Sequence, residues 1–339
     1  MRDDNILILR GPEVGKLLAG REAEIIDAVR RAYLAYARGA GSLPHSTFLR
    51  FSDKRRDRII ALPAYLGDEW EVAGVKWISS FPHNLERGLD RASAVIVLNS
   101  SLTGRPEAFI EGSIISAKRT AASAALAAQS LQVGGRVDRV GMIGCGLINM
   151  ETARFLRVVF PDLNRFIIYD LDAERSERFK EKLRRMFGDA EVEVAEGVQT
   201  VLGAAPLVSL ATTATTPHID DLSVAAPGTA LLHISLRDLA PQVILSCDNV
   251  VDDIDHVCRA QTSVHLAEEL VGNRDFIRCS LADILSGKAG ARNEATAKTV
   301  FSPFGLGVLD IAVAKLVRDW GRDCGEGMVI PSFFPESFD

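Results

Sequence analysis

The chain encodes an α/β protein in two parts: a doubly wound domain on a parallel sheet, and an α+β domain of different texture. Three observations lead there. Through the middle of the 339 residues, short apolar segments alternate with helical ones, the rhythm of a parallel sheet covered on both faces. Before residue 112, apolar segments are instead separated by Gly/Pro turns, as in a mainly antiparallel sheet. Near the end, LGVLDIAVAKLVRDWG (306–321) reads as a helix with a long apolar face. It follows the last α/β element and is placed with the first part.

The elements follow in order. EAEIIDAVRRAYLAYARG (22–39) carries Ile25, Ile26, Val29, Tyr33 and Tyr36 at helical spacing. DRIIALPAYL, EVAGVKWISSF and RASAVIVLNS are strands. GSIISAKRTAASAALAAQSL (112–131) is a long helix of small residues that joins the two parts. VDRVGMIGCG (137–146) is a strand ending in glycines, with a helix from Asn149 to Phe160 after it. RFIIYD (165–170) is a second strand, AERSERFKEKLRRMF (173–187) a charged amphipathic helix and VEVA (192–195) a third strand. PLVSLAT (206–212), ALLHIS (230–235) and NVVDD (249–253) continue the series. The expected domains are 1–129 with 304–339, and 130–303.

Composition narrows the function classes. Charged residues are 25% and hydrophobic ones 47%, which excludes a disordered chain or a coiled-coil rod. A formal net charge of −6 lacks the basic surface that non-specific nucleic-acid binding needs. No apolar run approaches the roughly 18–20 residues that span a bilayer, so no membrane role is expected. MRDDNILILRGPEV is not a secretory signal. Five cysteines without a CxxC pair, and six scattered histidines without HxxxH or HExxH, give neither a disulfide framework nor a metal site. Reduced thiols and a cytoplasmic location are expected.

Four segments carry chemistry. In VGMIGCGLIN, Gly144 permits a tight strand-to-helix turn, and Gly146 lets backbone amides approach a pyrophosphate at a helix N-terminus. Asn149, at the third position, is a poorer fit than a small residue. A second strand ends in Asp170, about 20 residues on, where an acid accepts from ribose hydroxyls. This is the Rossmann dinucleotide-binding pattern, and the acid favours NAD over NADP. The other reading of Asp170 is a helix N-cap. Cys145 is simply a small residue in the turn.

In GVKWISSFPHN (74–84), Lys76 lies within an apolar strand. It either has an anionic partner or ligand, or snorkels to the edge. His83 beside Pro82 reads as a turn residue. In SAKRTAASAALAA, Arg119 is a bidentate donor suited to carboxylate or phosphate, or else a surface arginine paired with a nearby glutamate. In LLHISLRDLAPQ, Arg237 and Asp238 lie just past a strand's carboxyl end, where open α/β sheets bind ligands. Asp238 is a candidate acid/base or a turn residue before Pro241.

Taken in order, LPAYLG, GVKWISSFPHN, TGRPEAFIEGSIISAKRTAASAALAA, IGCG and SPFGLGVLD resemble the ornithine cyclodeaminase/μ-crystallin family over nearly the whole chain. Lys76 and Arg119, 43 residues apart, match the family's substrate lysine and helix arginine. The resemblance implies an NAD-dependent homodimer with a Rossmann domain and an α+β domain for substrate binding and dimerisation. It implies Asp238 and Lys76 as catalytic residues, and Arg50, Lys76 and Arg119 as substrate ligands. Cofactor contacts are implied at Arg91, Arg119, Gly144, Gly146, Leu147, Ile148, Asp170, Thr212, His233 and Ser235.

WISSFPHNLERGLDRASAVIVLNS, EGSIISAKRTAASAALAA, HISLRDL and SPFGLGVLD are most similar to the 2,3-diaminopropionate-forming branch, which serves siderophore (staphyloferrin B-like) biosynthesis. That branch implies oxidation of N-[(2S)-2-amino-2-carboxyethyl]-L-glutamate, a small amino-acid substrate with several carboxylates. It also implies a pathway partner, a PLP-dependent synthase. Ile148-Asn149 stands where cyclodeaminases often have Gln-Ala, and Pro303-Phe304 replaces their usual Ser-Val. Both departures count against ornithine. The competing readings are an ornithine cyclodeaminase, a ketimine reductase and a non-catalytic dinucleotide-binding protein.

Overall fold

The computed structural model describes residues 4–51, 57–131 and 136–335. The end of the STFLRFSD segment and the residues just after the expected 129/130 boundary lie outside that description. By contacts the chain divides into two compact units: residues 1–119 with 306–339, and residues 120–305. The division falls within the small-residue helix, ten residues before the expected 129/130 boundary.

The first unit opens with β1 (Ile6–Leu9), α1 (Gly11–Leu18) and α2 (Glu22–Ala37). It continues through β2 (Gly41–Ser42), β3 (Thr47–Arg50), β4 (Arg58–Leu66), β5 (Val72–Ser80), a 3-10 turn (Pro82–Arg87), β6 (Ala92–Ser100), β7 (Pro106–Glu111) and the start of α3 (Ser113–Leu131). β4 to β7 form an antiparallel meander. In its centre Lys76 stands opposite Leu62 on β4 and Ile96 on β6. Directly opposed residues share a face of the sheet, and Leu62 and Ile96 are both core residues. The alternation that makes β5 a strand therefore commits Lys76 to the interior.

The second unit is doubly wound. β8 (Arg139–Ile143), α4 (Leu147–Val159), β9 (Arg165–Tyr169), α5 (Ala173–Met186), β10 (Glu191–Val194) and α6 (Val198–Ala204) build one half. β11 (Leu207–Leu210), β12 (Ala230–His233), α7 (Pro241–Leu245), β13 (Asp248–Val251), α8 (Ile254–Val257), α9 (Ser263–Val271), β14 (Ile277–Ser280), α10 (Leu281–Leu285) and β15 (Thr299–Ser302) build the other. The strands are parallel in the order β10-β9-β8-β11-β12-β15-β13-β14. The order reverses between β8 and β11, the switch point where open sheets bind ligands. β14 and β15, four residues each, are strands that the sequence reading does not include.

The chain then returns to the first unit as α11 (Gly307–Cys324) and β16 (Met328–Ile330). α11 packs against β4 and β5, and β16 pairs with β1. From Gly307 to Ala314 the helix is buried on all sides, so Asp310 in its first turn is inside. No described helix is long and apolar enough to cross a membrane.

Candidate active site

The glycine turn lies at the switch point. Gly144 has φ +93°, and a Cβ there would stand 2.4 Å from Ala211 O, so only glycine fits. Gly146 has extended backbone, and nothing lies within 4 Å of an added Cβ. The turn thus leaves open backbone at the N-terminus of α4, with Leu147 exposed and Ile148 half-buried behind it. A pyrophosphate fits that arrangement, since the first helical N–H groups have no intrahelical acceptor.

Asn149 is a better fit than its size predicts. It is fully buried; its Nδ2 donates to Ile143 O (3.0 Å) and Gly144 O (2.7 Å), and its Oδ1 accepts from Ser209 Oγ (2.7 Å). The side chain staples the turn to β11. Asp170 accepts from Cys145 N (2.8 Å) and Asp172 N (3.0 Å). The N-cap of α5 is Asp172, which accepts from Arg175 N, so the capping reading of Asp170 is overturned. Cys145 is buried, and burial pushes its thiol up to about 12.

The first unit holds a buried charge cluster. Lys76 Nζ lies 2.7 Å from Asp310 Oδ2 and donates to Ser116 Oγ (3.1 Å), while Arg119 Nε donates to Asp310 Oδ1 (2.8 Å). Lys76 is 2% exposed, Arg119 7% and Asp310 0%, which excludes both the snorkelling lysine and the surface arginine. Two cations on one carboxylate leave a net positive charge in an apolar surround. Burial brings the Lys76 ammonium down to about 8, with Asp310 opposing the shift and Arg119 adding to it. Asp310 was not singled out from the sequence. Its one signal there is an acid within an otherwise apolar helix face.

The second unit holds a buried carboxylate at the carboxyl ends of β11 and β12. Asp238 is 0% exposed, in the bend that follows β12. The hydroxyls of Thr212 and Ser235 donate to its two carboxylate oxygens, and His218 Nε2 lies 3.1 Å from Oδ1. Behind it, His233 Nε2 accepts from Asp238 N (3.2 Å) and His233 Nδ1 faces Ser302 Oγ (3.2 Å). Burial opposes the charge, but contacts with His218, His233 and Ser235 prevail and hold the carboxyl well below the usual range. Thr212 also ties this carboxylate to the glycine turn: its Cα would lie 3.2 Å from a Cβ on Gly144. His218 carries no motif and is missed by sequence reasoning.

The remaining expected residues are more dispersed. Arg50 is exposed at the end of β3, its guanidinium 5.5 Å from the Phe48 ring. Among the described residues it makes no hydrogen bond or ion pair with the Lys76 cluster. Arg91 donates to Ser80 Oγ (3.4 Å), and burial lowers its pKa. His83 is exposed in the 3-10 turn, 3.0 Å from Glu86. Arg237 donates to Ala260 O (2.6 Å). The five cysteines are free thiols. The described residues contain no cluster of three His, Cys, Asp or Glu able to hold a metal ion.

Fold and turn together define a Rossmann-type dinucleotide-binding protein with an added α+β domain. Comparison with known sequences narrows this: residues 7–324 match the ornithine cyclodeaminase/mu-crystallin family, and the chain belongs to it. It is 28% identical to N-((2S)-2-amino-2-carboxyethyl)-L-glutamate dehydrogenase of Staphylococcus aureus, over 86% of this chain and 88% of that one. Its fold superposes on the Δ(1)-pyrroline-2-carboxylate reductase of Thermococcus litoralis in complex with NADH and L-proline. There the TM-score is 0.88 at 26% identity, covering 95% of this chain and 99% of that one. An archaeal alanine dehydrogenase dimer with bound NAD gives a TM-score of 0.86 at 26% identity, covering 97% of this chain and 100% of that one.

Proposed function

We propose that the protein is an NAD-dependent amino-acid oxidoreductase acting on a C–N bond. Its substrate would be N-[(2S)-2-amino-2-carboxyethyl]-L-glutamate, converted with water to L-2,3-diaminopropionate and 2-oxoglutarate. The observation that carries the reaction type is Asp238: a fully buried carboxylate that accepts from the hydroxyls of Thr212 and Ser235, beside the dinucleotide turn. Such a group stabilises the positive charge that develops on a carbon–nitrogen unit as hydride departs. The likeness to the staphylococcal dehydrogenase and the buried cations Lys76 and Arg119 support a substrate rich in carboxylates.

NAD, when bound, accepts the hydride from the substrate's glutamate Cα. The backbone at Gly144, Gly146, Leu147 and Ile148 would hold its pyrophosphate, and Asp170 its ribose hydroxyls. Lys76 and Arg119 would anchor substrate carboxylate, with Arg50 taking a further one and Arg91 and Arg119 facing the cofactor. Thr212, Ser235 and His233 are engaged with Asp238, so their part is to position it. A homodimer is expected, and light scattering tests it. A PLP-dependent condensation of O-phosphoserine with glutamate would supply the substrate, for a siderophore end product. The superposition on the pyrroline-carboxylate reductase favours a second reading, reduction of a cyclic imine.

The test is NADH formation by purified protein given NAD with the glutamate adduct, ornithine or glutamate, alongside NADH consumption with a cyclic imine. Oxidation of the adduct alone supports the proposal. Oxidation of ornithine with none of the adduct overturns the substrate, and turnover of the imine alone establishes the second reading.

A further inference from the structure

Asp238 is poorly suited to hold a proton. Its oxygens already accept from Thr212 and Ser235, and protonation would turn an acceptor against those donors. Yet the proposed reaction releases one proton per turnover. The substrate's secondary ammonium, NAD+ and water become the diaminopropionate ammonium, 2-oxoglutarate, NADH and H+. Both water protons end on the departing amine, and the original ammonium proton is the one released. We propose that His218 carries protons between the Asp238 site and solvent. The inference rests on the functional reading above and adds to it a proton-transfer group.

Four observations carry this. The backbone anchors His218 to the acid: His218 N and Ile219 N each donate to Asp238 O at 2.9 Å, and Ile219 pairs with Leu239. The carboxylate obliges His218 Nε2 to bear the hydrogen (3.1 Å to Oδ1), which leaves the Nδ1 lone pair as a base. His218's side chain is 37% exposed while that of Asp238 is 0%, so the histidine reaches water and the aspartate does not. The second histidine beside the carboxylate, His233, is 0% exposed and does not reach water, its Nε2 facing Asp238 and its Nδ1 facing Ser302 Oγ.

Charged groups nearby leave the pairing intact. Asp221 is closed onto Ser223 N and Oγ, Asp220 precedes it on the same loop, and His233, the second imidazole at the carboxylate, has its Nε2 3.4 Å from Asp238 Oδ2. Among the described residues the His218 ring makes no other hydrogen bond.

The proton path follows. Nδ1 takes the ammonium proton and passes it to solvent before hydride leaves. As water adds to the C=N carbon, a C–O bond forms, the π pair moves to nitrogen, and one water proton passes to Nδ1. That proton returns to nitrogen. The remaining O–H then gives its proton to Nδ1 as its bonding pair forms the C=O and the C–N bond breaks with its electron pair moving onto nitrogen, and Nδ1 passes this second water proton to the departing amine. At each stage the imidazolium faces the carboxylate of Asp238.

His218→Gln keeps a donor for Asp238 and removes proton exchange. The expected result is a kcat lower by about 100-fold or more, KM within about threefold, a lost acidic limb in the kcat profile, and partial rescue by added imidazole. A variant within about threefold of the parent kcat, with the acidic limb intact, overturns the inference. If the parent oxidises none of the candidate substrates, the substrate reading fails and nitrogen NMR of the histidines decides this one. A resonance absent from His218→Gln, in the Nε2–H tautomer and shifted toward a mixture by Asp238→Asn, supports it. A mixture in the parent overturns it.

Discussion

Asp310 and Asp238 are the same residue type, each wholly buried, and their surroundings make opposite tools of them. Asp310 is met by two cations, Lys76 and Arg119. Asp238 is met by two hydroxyls and two imidazoles. The first group carries excess positive charge and suits an anion. The second keeps its negative charge and suits a carbon or nitrogen turning positive. Burial alone therefore says little about what an acid does; the charge of its partners decides.

Removing each carboxylate tests that contrast, and the larger effect falls on Asp310. Asp310→Asn leaves Lys76 and Arg119 buried together without a counterion. Breaking a buried pair in this way costs about 3–5 kcal/mol, so the denaturant midpoint should drop sharply. Lys76→Met in that background should recover part of the loss. Equal stability of Asp310→Asn and the parent would show that water already screens the cluster.

Asp238→Asn comes next. Its hydroxyl donors can rotate to other acceptors, so the fold should persist and NAD binding should remain measurable by titration. Turnover should fall about 10²–10³-fold, the range of a lost electrostatic stabiliser of developing charge. Near-normal turnover would remove Asp238 from the chemistry and dissolve the contrast.

Lys76 gives a pH signature. With its amine brought down to about 8 from 10.5, the unfolded chain holds a proton between those values that the folded chain has released. Stability therefore rises as pH climbs through that window. Binding of a substrate carboxylate runs the other way, because it needs the ammonium. The apparent KM should rise above pH about 8, and Lys76→Met should flatten that rise while raising KM throughout. A KM independent of pH across this range would take Lys76 out of the anion site.

What could be read in advance follows the length scale of each signal. The Rossmann half was legible because its information is local: a strand, GCG, a helix, then Asp170 at the end of the next strand. Lys76 was ambiguous because its partner, Asp310, lies at the other end of the chain, and only the return of α11 brings them together. Asn149 was misjudged by volume alone, since its fit comes from hydrogen bonds to Ile143, Gly144 and Ser209. His218 left no trace, because its role exists only through the loop pairing of Ile219 with Leu239. Arg50 was placed by analogy, and the fold sets it on an exposed strand end.

The smallest effects make the finest test. Ser235→Ala removes one of the donors that hold Asp238 ionised. Its carboxyl pKa then moves up from a strongly depressed value. A depressed acid contributes stability above its unfolded pKa, about 3.9, and loses it as pH falls through the folded value. The acid-unfolding midpoint of Ser235→Ala should therefore move to higher pH, with about 1 kcal/mol lost at neutrality. Ser116→Ala also removes a hydroxyl from a buried charge, the Lys76 ammonium. There the ion pair with Asp310 remains, so the alkaline stability profile should be nearly unchanged. Equal shifts in the two variants would mean that hydroxyls matter alike at both acids. Unequal shifts in the stated direction would mean that hydroxyl donors help sustain one charge and a counterion sustains the other.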